Sequence, residues 1–186
     1  MCEVCAEEEV RRGDDPVIPS GIDVRRWNDL YPFQREGVAW LCDEERQVGI
    51  LADQMGLGKT IQALVAHRKG RGLVVVCPAS LKGVWAREAE AWRDDLSVTI
   101  LSGRGSFRWP EKDELIITNY EILPSASEFV TPPSGVGLVA DEAHYLKSAR
   151  SQRTKKFRTL SKVVEVAGGR VWLLTGTPLL LSLIHI

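Results

Sequence analysis

No apolar run in these 186 residues reaches the ~18 that a membrane-spanning helix needs, so no helical span is expected. No secretory-leader pattern is seen in the first residues of this sequence. Met1–Glu9 is acidic and lacks the basic-then-apolar order of such a segment. The expectation is a cytoplasmic protein, nucleoid-associated if bacterial, with no membrane contact. Charge of one sign is not in excess. Lys and Arg number 24 against 25 Asp and Glu, for a net charge of -1. That excludes a global basic field, so any nucleic-acid surface must be local. Cysteine is scarce, with four in the chain. Cys2 and Cys5 form a C-x-x-C, but a structural zinc site takes four ligands. The pair is either incidental or half of a zinc knuckle whose other half lay upstream. Cys42 and Cys77 lie far along in apolar segments and read as small buried hydrophobes. Internal repeats and low-complexity stretches are also absent.

What is present fits one domain with a substantial core. Hydrophobic residues make up 44% and charged residues 26%, the range of globular chains. Residues 1–29 are polar, with Glu7-Glu8-Glu9, Arg11-Arg12 and Asp14-Asp15-Pro16, and are expected to be a mobile lead-in. Regular structure is expected from Pro32, where Phe33, Val38, Trp40 and Leu41 give a helical apolar face. A β–α alternation follows. Val48–Ala52 is a short apolar strand, then a Gly-rich turn leads into a helix over about Thr60–His67. Leu73–Cys77 is an unbroken apolar run, the mark of a strand covered on both faces, and Pro78 ends it. Leu81–Trp92 is helical, with Leu81, Trp85 and Trp92 on one face. Val98–Leu101, Leu115–Thr118, Leu138–Ala140 and Val171–Leu174 read as strands, and Ser151–Ser161 as a basic helix. Strands alternating with helices predict an α/β fold with a parallel sheet covered on both faces.

Between the first strand and the next helix stands Ala52-Asp53-Gln54-Met55-Gly56-Leu57-Gly58-Lys59-Thr60, the context a phosphate-binding P-loop requires. Gly56 and Gly58 allow a sharp turn with N–H groups facing a β-phosphate. Lys59 is a point charge for the β- and γ-oxygens, and the Thr60 hydroxyl is placed to ligand Mg²⁺. The general pattern has Gly where this chain has Asp53. About 80 residues later, Asp141-Glu142-Ala143-His144 follows its own short strand. Open parallel sheets carry ligand chemistry at such strand ends. Asp141 is a candidate Mg²⁺ ligand, and Glu142 a candidate base for an attacking water.

These motifs in this order resemble the Swi/Snf-type helicase-like ATPases of superfamily two, from about Leu30 to Pro178. Leu30–Val38 resembles the family's adenine-reading Q motif, with Gln34 the residue to carry over. Leu51–Thr60 resembles motif I, in which Asp53 is usual, and Met55 and Leu57 fall inside the loop. Cys77–Leu81 with Trp85 resembles motif Ia, and Thr118-Asn119-Tyr120 motif Ib. Asp141–His144 with Leu146-Lys147 resembles motif II. Thr175-Gly176-Thr177-Pro178 resembles motif III, which with His144 couples the nucleotide site to DNA. The short spacing between motifs I and II fits compact members, including the annealing-helicase branch. The resemblance implies a P-loop RecA-like three-layer α/β/α sandwich with a mostly parallel sheet. It also implies ATP and Mg²⁺ as ligands and double-stranded DNA as partner, engaged together with a second lobe.

Residues 30–180 are therefore expected to form the first RecA-like ATP-binding lobe of a DNA-dependent ATPase and double-stranded DNA translocase. Leu181–Ile186 is expected to be a non-native tail, of the kind one reading frame of a sequencing-transposon end encodes. On that reading the chain is truncated before the second lobe and is inactive alone. Other readings are the motor lobe of an RNA helicase or restriction system, or a non-catalytic nucleotide-dependent DNA-binding module. Lys147-Ser148 favours the Swi/Snf type over the former; Lys59 and Glu142 argue against the latter. Lys147, Arg150, Arg153, Lys155, Lys156 and Arg158 form either a solvated face or part of a phosphate-tracking surface. The six tryptophans are expected in the core, with Trp109 the least so because it lies in a loop.

Overall fold

A computed structural model describes residues 16–125 and 131–177. Its strands are β1 (Val48–Leu51), β2 (Leu73–Cys77), β3 (Ser97–Ile100), β4 (Glu114–Asn119), β5 (Gly137–Ala140) and β6 (Arg170–Leu174). They form one sheet in the order β1-β6-β5-β2-β4-β3. Every pairing is parallel. Strands β2, β4 and β5 are buried along their whole length, β2 and β5 as unbroken runs without a polar side chain and β4 with Glu114, Thr118 and Asn119 buried beside its apolar centre. The outermost strands β1 and β3 are only partly covered, and Ile50 and Ile100 remain exposed.

The period of two along each strand divides the core into two layers. Leu73, Val75 and Cys77 of β2 face one layer, with Trp172 and Leu174 of β6. The helices α1 (Val24–Asn28), α2 (Pro32–Cys42), α3 (Lys59–Ala66) and α4 (Lys82–Trp92) fill that layer through Trp27, Leu41, Leu64 and Trp85. Val74 and Val76 face the other layer, where Phe157, Leu160 and Val164 of α5 (Gln152–Val166) cover the sheet. This is the three-layer α/β/α architecture expected, and all the elements read from periodicity are present.

Three expectations are corrected. Regular structure begins before Pro32: Asp23 Oδ1 accepts the Arg25 N–H at 3.0 Å and starts α1. Ile22, Trp27 and Leu30 are buried in the helix-rich layer, so the lead-in is packed from Ile22 onward. A five-residue helix with one aromatic anchor carries too few residues for a period to show. Second, the basic helix is longer, ending at Val166 rather than Ser161. Third, not every tryptophan is core. Trp40 is 36% exposed, with the Arg46 guanidinium 5.5 Å from its ring centroid. It lies across the outer strand, where a Cβ on Gly49 would meet its ring at 2.8 Å. Trp109 packs partly buried, edge-on to Phe107 at 5.3 Å. Cys2, Cys5, Pro178 and the 181–186 tail lie outside the described residues. Cys42 and Cys77 are free and buried, and burial pushes their thiols up to about 11 and about 12.

Candidate nucleotide site

The strand order itself assembles the site. β1, β6 and β5 are neighbours, with Leu51 in register with Leu174 and Ala140 with Leu173. All run the same way, so the segments that follow them emerge side by side at one rim of the sheet. The phosphate loop follows β1, Asp141–His144 follows β5, and Thr175–Thr177 follows β6.

The loop's two glycines have φ of 86° at Gly56 and 76° at Gly58, the left-handed region that side chains disfavour. Gly58 also needs its missing Cβ, which would meet Gln34 Nε2 at 2.5 Å. Lys59 and Thr60 open α3, whose N-terminal N–H groups and dipole favour an anion. Lys59 Nζ donates to the carbonyls of Asp53 at 2.6 Å and Gln54 at 2.9 Å. The amine is thus held over the loop, within reach of any phosphate cradled there. Met55 is 78% exposed and lies against motif III, since a Cβ on Gly176 would meet its Cγ at 2.8 Å.

Gln34 is buried, with both amide atoms engaged. Its Oε1 accepts the Tyr31 N–H at 3.0 Å and so caps α2, while its Nε2 donates to the Leu57 carbonyl at 3.2 Å. It therefore ties the start of α2 to the phosphate loop. Only its second N–H and second lone pair remain for a base.

Asp141 is buried at the end of β5. Its Oδ2 accepts the Trp85 indole N–H at 2.7 Å and its Oδ1 the Glu142 N–H at 2.9 Å. Burial raises its pKa; the Trp85 bond, the Glu142 amide and the Lys59 charge oppose that rise. The loop lysine and this carboxylate therefore feel one another. Glu142 has φ of 51°, one of two non-glycine residues at positive φ among those described. Such strain persists only where surroundings over-determine it, and it gathers at functional sites. Glu142 Oε2 lies 3.1 Å from His144 Nδ1, close enough for ion pairing though not aligned as a hydrogen bond. The next residue, Tyr145, stacks flat on Tyr120 at 5.7 Å, and the Tyr120 hydroxyl donates to the Asp141 carbonyl at 2.6 Å.

Thr175 is fully buried; its N–H donates to the Leu51 carbonyl at 3.1 Å and its Oγ1 accepts the Thr177 N–H at 3.1 Å. Motif III is thereby bonded directly to the strand that carries the phosphate loop. The structure gathers Gln34, Asp53, Met55, Gly56, Leu57, Gly58, Lys59, Thr60, Asp141, Glu142, His144, Thr175, Gly176 and Thr177 at one rim. Of the basic stretch, Lys147, Arg150, Arg153 and Lys155 are exposed. Lys156 Nζ donates to the Leu123 carbonyl at 2.7 Å, beside a cleft of about 760 Å³ lined by Arg104, Tyr120 and Arg153.

Two contacts escape a reading of motifs, although Trp85 itself lies in the segment that resembles motif Ia. Gln62 is fully buried in α3, and its Nε2 donates to Asp53 Oδ2 at 2.9 Å and to the Leu57 carbonyl at 3.2 Å. It holds the two ends of the loop together. Trp85 reads as core by spacing yet spends its N–H on Asp141. The one available signal is general: a buried indole N–H seeks an acceptor.

Fold and site together define a RecA-like α/β lobe in which a glycine-bearing loop before a helix and a carboxylate pair emerge at the same rim of a parallel sheet. The model for the SNF2-related domain matches residues 33–186, and the chain belongs to that family. A curated relative from Xenopus tropicalis is the "SWI/SNF-related matrix-associated actin-dependent regulator of chromatin subfamily A-like protein 1". It is 34% identical over 177 residues, which cover 91% of this chain and 18% of that protein. The human "DNA annealing helicase and endonuclease ZRANB3" is 30% identical over 161 residues, covering 81% of this chain and 14% of that one. Among solved structures, the "Sulfolobus solfataricus SWI2/SNF2 ATPase core in complex with dsDNA" matches with a TM-score of 0.66 at 24% identity. It aligns with 88% of this chain and 34% of that one, a likeness of fold. The chain thus spans about a fifth of the length of such curated relatives, 18% in the Xenopus case.

Proposed function

We propose that these residues bind ATP with Mg²⁺ between the phosphate loop and the carboxylate pair. They would serve as the first lobe of a DNA-dependent ATPase that moves along duplex DNA. The observation that supports this reading is the run of parallel strands β1, β6 and β5, from which the segments with Lys59-Thr60 and Asp141-Glu142 leave at the same rim.

The residues present fit a divalent cation. Asp141 offers a buried carboxylate in which Trp85 and Glu142 each occupy one oxygen, leaving further lone pairs, and Thr60 offers a hydroxyl at the head of α3. Bound there, Mg²⁺ would neutralise charge on the β- and γ-phosphates. Gly56, Gly58 and the N-terminus of α3 hold the β-phosphate, and Lys59 turns from the loop carbonyls to the γ-phosphate. Glu142 orients a water and accepts its proton as the water attacks the γ-phosphorus, whose bond to the β–γ bridging oxygen breaks as ADP leaves. Gln34 contributes its remaining N–H and lone pair to adenine. Motif III carries changes at the nucleotide toward DNA through Thr175 and Gly176.

The names of the relatives, an annealing helicase among them, favour duplex DNA over RNA as the track. They also favour a DNA-associated location, on the nucleoid if the source is bacterial. The exposed basic residues from Lys147 to Lys155 would meet phosphates there. A second lobe, as the resemblance implies, would add arginines worth about 10³–10⁵ in rate. These 186 residues alone should therefore bind ATP in a Mg²⁺-dependent way and release phosphate negligibly, with or without duplex DNA. Nucleotide titration and steady-state phosphate release, with Glu142→Gln as background, test this. No Mg²⁺-dependent ATP binding would remove the nucleotide site. DNA-stimulated turnover abolished by Glu142→Gln would show that one lobe suffices.

A further inference from the structure

Asp141 is gripped from three sides, and one of the two bonds to its carboxylate comes from a distant part of the chain. Trp85 stands on α4, the helix that follows β2, and is 1% exposed. Its indole reaches across to the end of the neighbouring strand β5 and donates to Oδ2 at 2.7 Å. The Glu142 N–H fixes Oδ1, and the Tyr120 hydroxyl fixes the backbone carbonyl. The carboxylate therefore has no free rotation: each oxygen already has one donor, and the lone pairs left over point in set directions.

The identity of the donor matters. Arg or Lys at this place would bring a positive charge beside the anion and weaken its hold on a cation. An indole N–H donates only, carries no formal charge, and sits on a rigid bicycle packed in the core. It orients the carboxylate while leaving its negative charge in place. Bonds of this kind to a ligating group, made by residues that do not touch the metal, typically change metal affinity by 10–100-fold.

We propose that Trp85 is the positioning residue for divalent-cation binding at Asp141: its indole N–H aims the carboxylate toward the phosphate loop. The inference rests on the reading of Asp141 as the metal-holding carboxylate. Trp85 does not touch nucleotide; it acts through Asp141. Its position on α4 also ties the motif that resembles Ia to the metal site, a connection that runs through one hydrogen bond.

The test uses the full 186-residue chain and N-methylanthraniloyl-ATP, with binding read by direct excitation of the probe in EDTA and at graded Mg²⁺. Trp85→Phe keeps the ring bulk and removes the donor. Its Mg²⁺ midpoint should rise about tenfold, while affinity in EDTA stays within about twofold. Trp172→Phe truncates another tryptophan buried in the same core layer and should leave the midpoint in place. Asp141→Asn serves as the reference for a damaged metal site. A midpoint shifted by Asp141→Asn but not by Trp85→Phe overturns the role of Trp85 alone. A midpoint unmoved by Asp141→Asn overturns the metal assignment, and the present inference with it. Should Trp85→Phe fail to fold, the indole ¹H–¹⁵N signals of the natural chain and of Asp141→Asn decide. One indole signal should move upfield in Asp141→Asn and respond to Mg²⁺; if none does, the proposal is wrong.

Discussion

At the two rims of the parallel sheet, polar side chains are used in opposite ways. The C-terminal rim, where the phosphate loop and Asp141–His144 emerge, keeps its polar groups open or strained. Glu142 has positive φ, Lys59 is parked on loop carbonyls, and Gln62 Oε1 and His144 Nδ1 lack a hydrogen-bond partner. At the N-terminal rim, polar groups are buried and mostly closed upon one another. Arg93 is 4% exposed; it donates to the Leu64 and His67 carbonyls and forks onto both oxygens of Asp95 at 2.8 and 2.9 Å. Glu114 accepts from Arg108, from Thr99 Oγ1 at 2.7 Å and from the Glu111 N–H at 2.9 Å. The Arg108 bond leads in lowering its carboxyl to about 2. Among the fully buried side-chain atoms described, Arg68 Nε is the one left without a partner on that side. One rim leaves polar groups unmatched; the other uses them to tie the end of α4 to α3, and β4 to β3 and to the loop before it.

The sharpest separation of the two rims should come from Lys59→Ala. In a polypeptide that carries both lobes, turnover should fall on the order of 10³, because a charge aimed at the transferring phosphate is gone. The melting temperature should fall by no more than a few degrees, since Lys59 is half-exposed and donates only to the loop carbonyls of Asp53 and Gln54. Glu142→Gln should match that loss while keeping nucleotide binding, and Asp141→Asn should instead weaken Mg²⁺-dependent binding. If all three lose binding equally, the division of roles at this rim is wrong.

Arg93→Met gives the converse. The stem of the side chain remains, but the carbonyls of Leu64 and His67 lose their donor and Asp95 loses its partner. Breaking one side of such a buried pair costs about 3 kcal/mol. Urea unfolding should show that loss, and Mg²⁺-ATP affinity of the folded fraction should be unchanged. A loss below about 1 kcal/mol would mean that the closed network contributes little.

The difference between the rims also explains what the sequence made legible. Gly56, Gly58, Lys59 and Thr60 are adjacent in the chain, because one loop must wrap one phosphate group, so local pattern suffices to find them. Asp141 and Glu142 were legible for the same reason. Trp85, Tyr120 and Gln62 act on those residues across 9 to 56 positions of sequence, through contacts that exist only once the sheet has formed. By spacing alone Trp85 is a core residue, and it is one; its N–H does the rest. Gln34 was read as an adenine ligand, while its amide also caps α2 and holds the loop, a role that no motif announces. At the N-terminal rim nothing was legible. Arg93, His67 and Glu114 belong to no pattern, because any arrangement that closes the network would do. α1 was missed because a single tryptophan, not a period, holds it down.

The smallest effect expected separates the rims by pH. His67, at the end of α3, is 4% exposed, and its Nε2 lies 3.0 Å from the Arg71 carbonyl, so the neutral ring donates there. Burial lowers its pKa from 6.5 to about 4, with the Arg93 charge acting in the same direction; the Arg71 carbonyl, Asp95 and Asp113 act against it. The unfolded chain therefore takes up a proton near pH 6.5 that the folded chain refuses until about pH 4. Stability from this group is complete above pH 6.5 and falls as pH drops toward 4, by about 2 kcal/mol between pH 7 and pH 5. Glu114 behaves similarly but lower: its contribution is held above its unfolded range and is lost only as pH falls from 4.5 toward 2. Asp141 has the opposite sign, because its raised pKa lets the folded state take the proton first. Between pH 7 and 5 the decline is thus assigned to His67. His67→Gln keeps an N–H for the Arg71 carbonyl and cannot titrate. Its unfolding free energy, lower at pH 7 through poorer packing, should be nearly flat over that window while the natural chain declines. Parallel declines in both proteins would show that the folded chain protonates His67 as readily as the unfolded one, and that the N-terminal rim is not the acid-sensitive side.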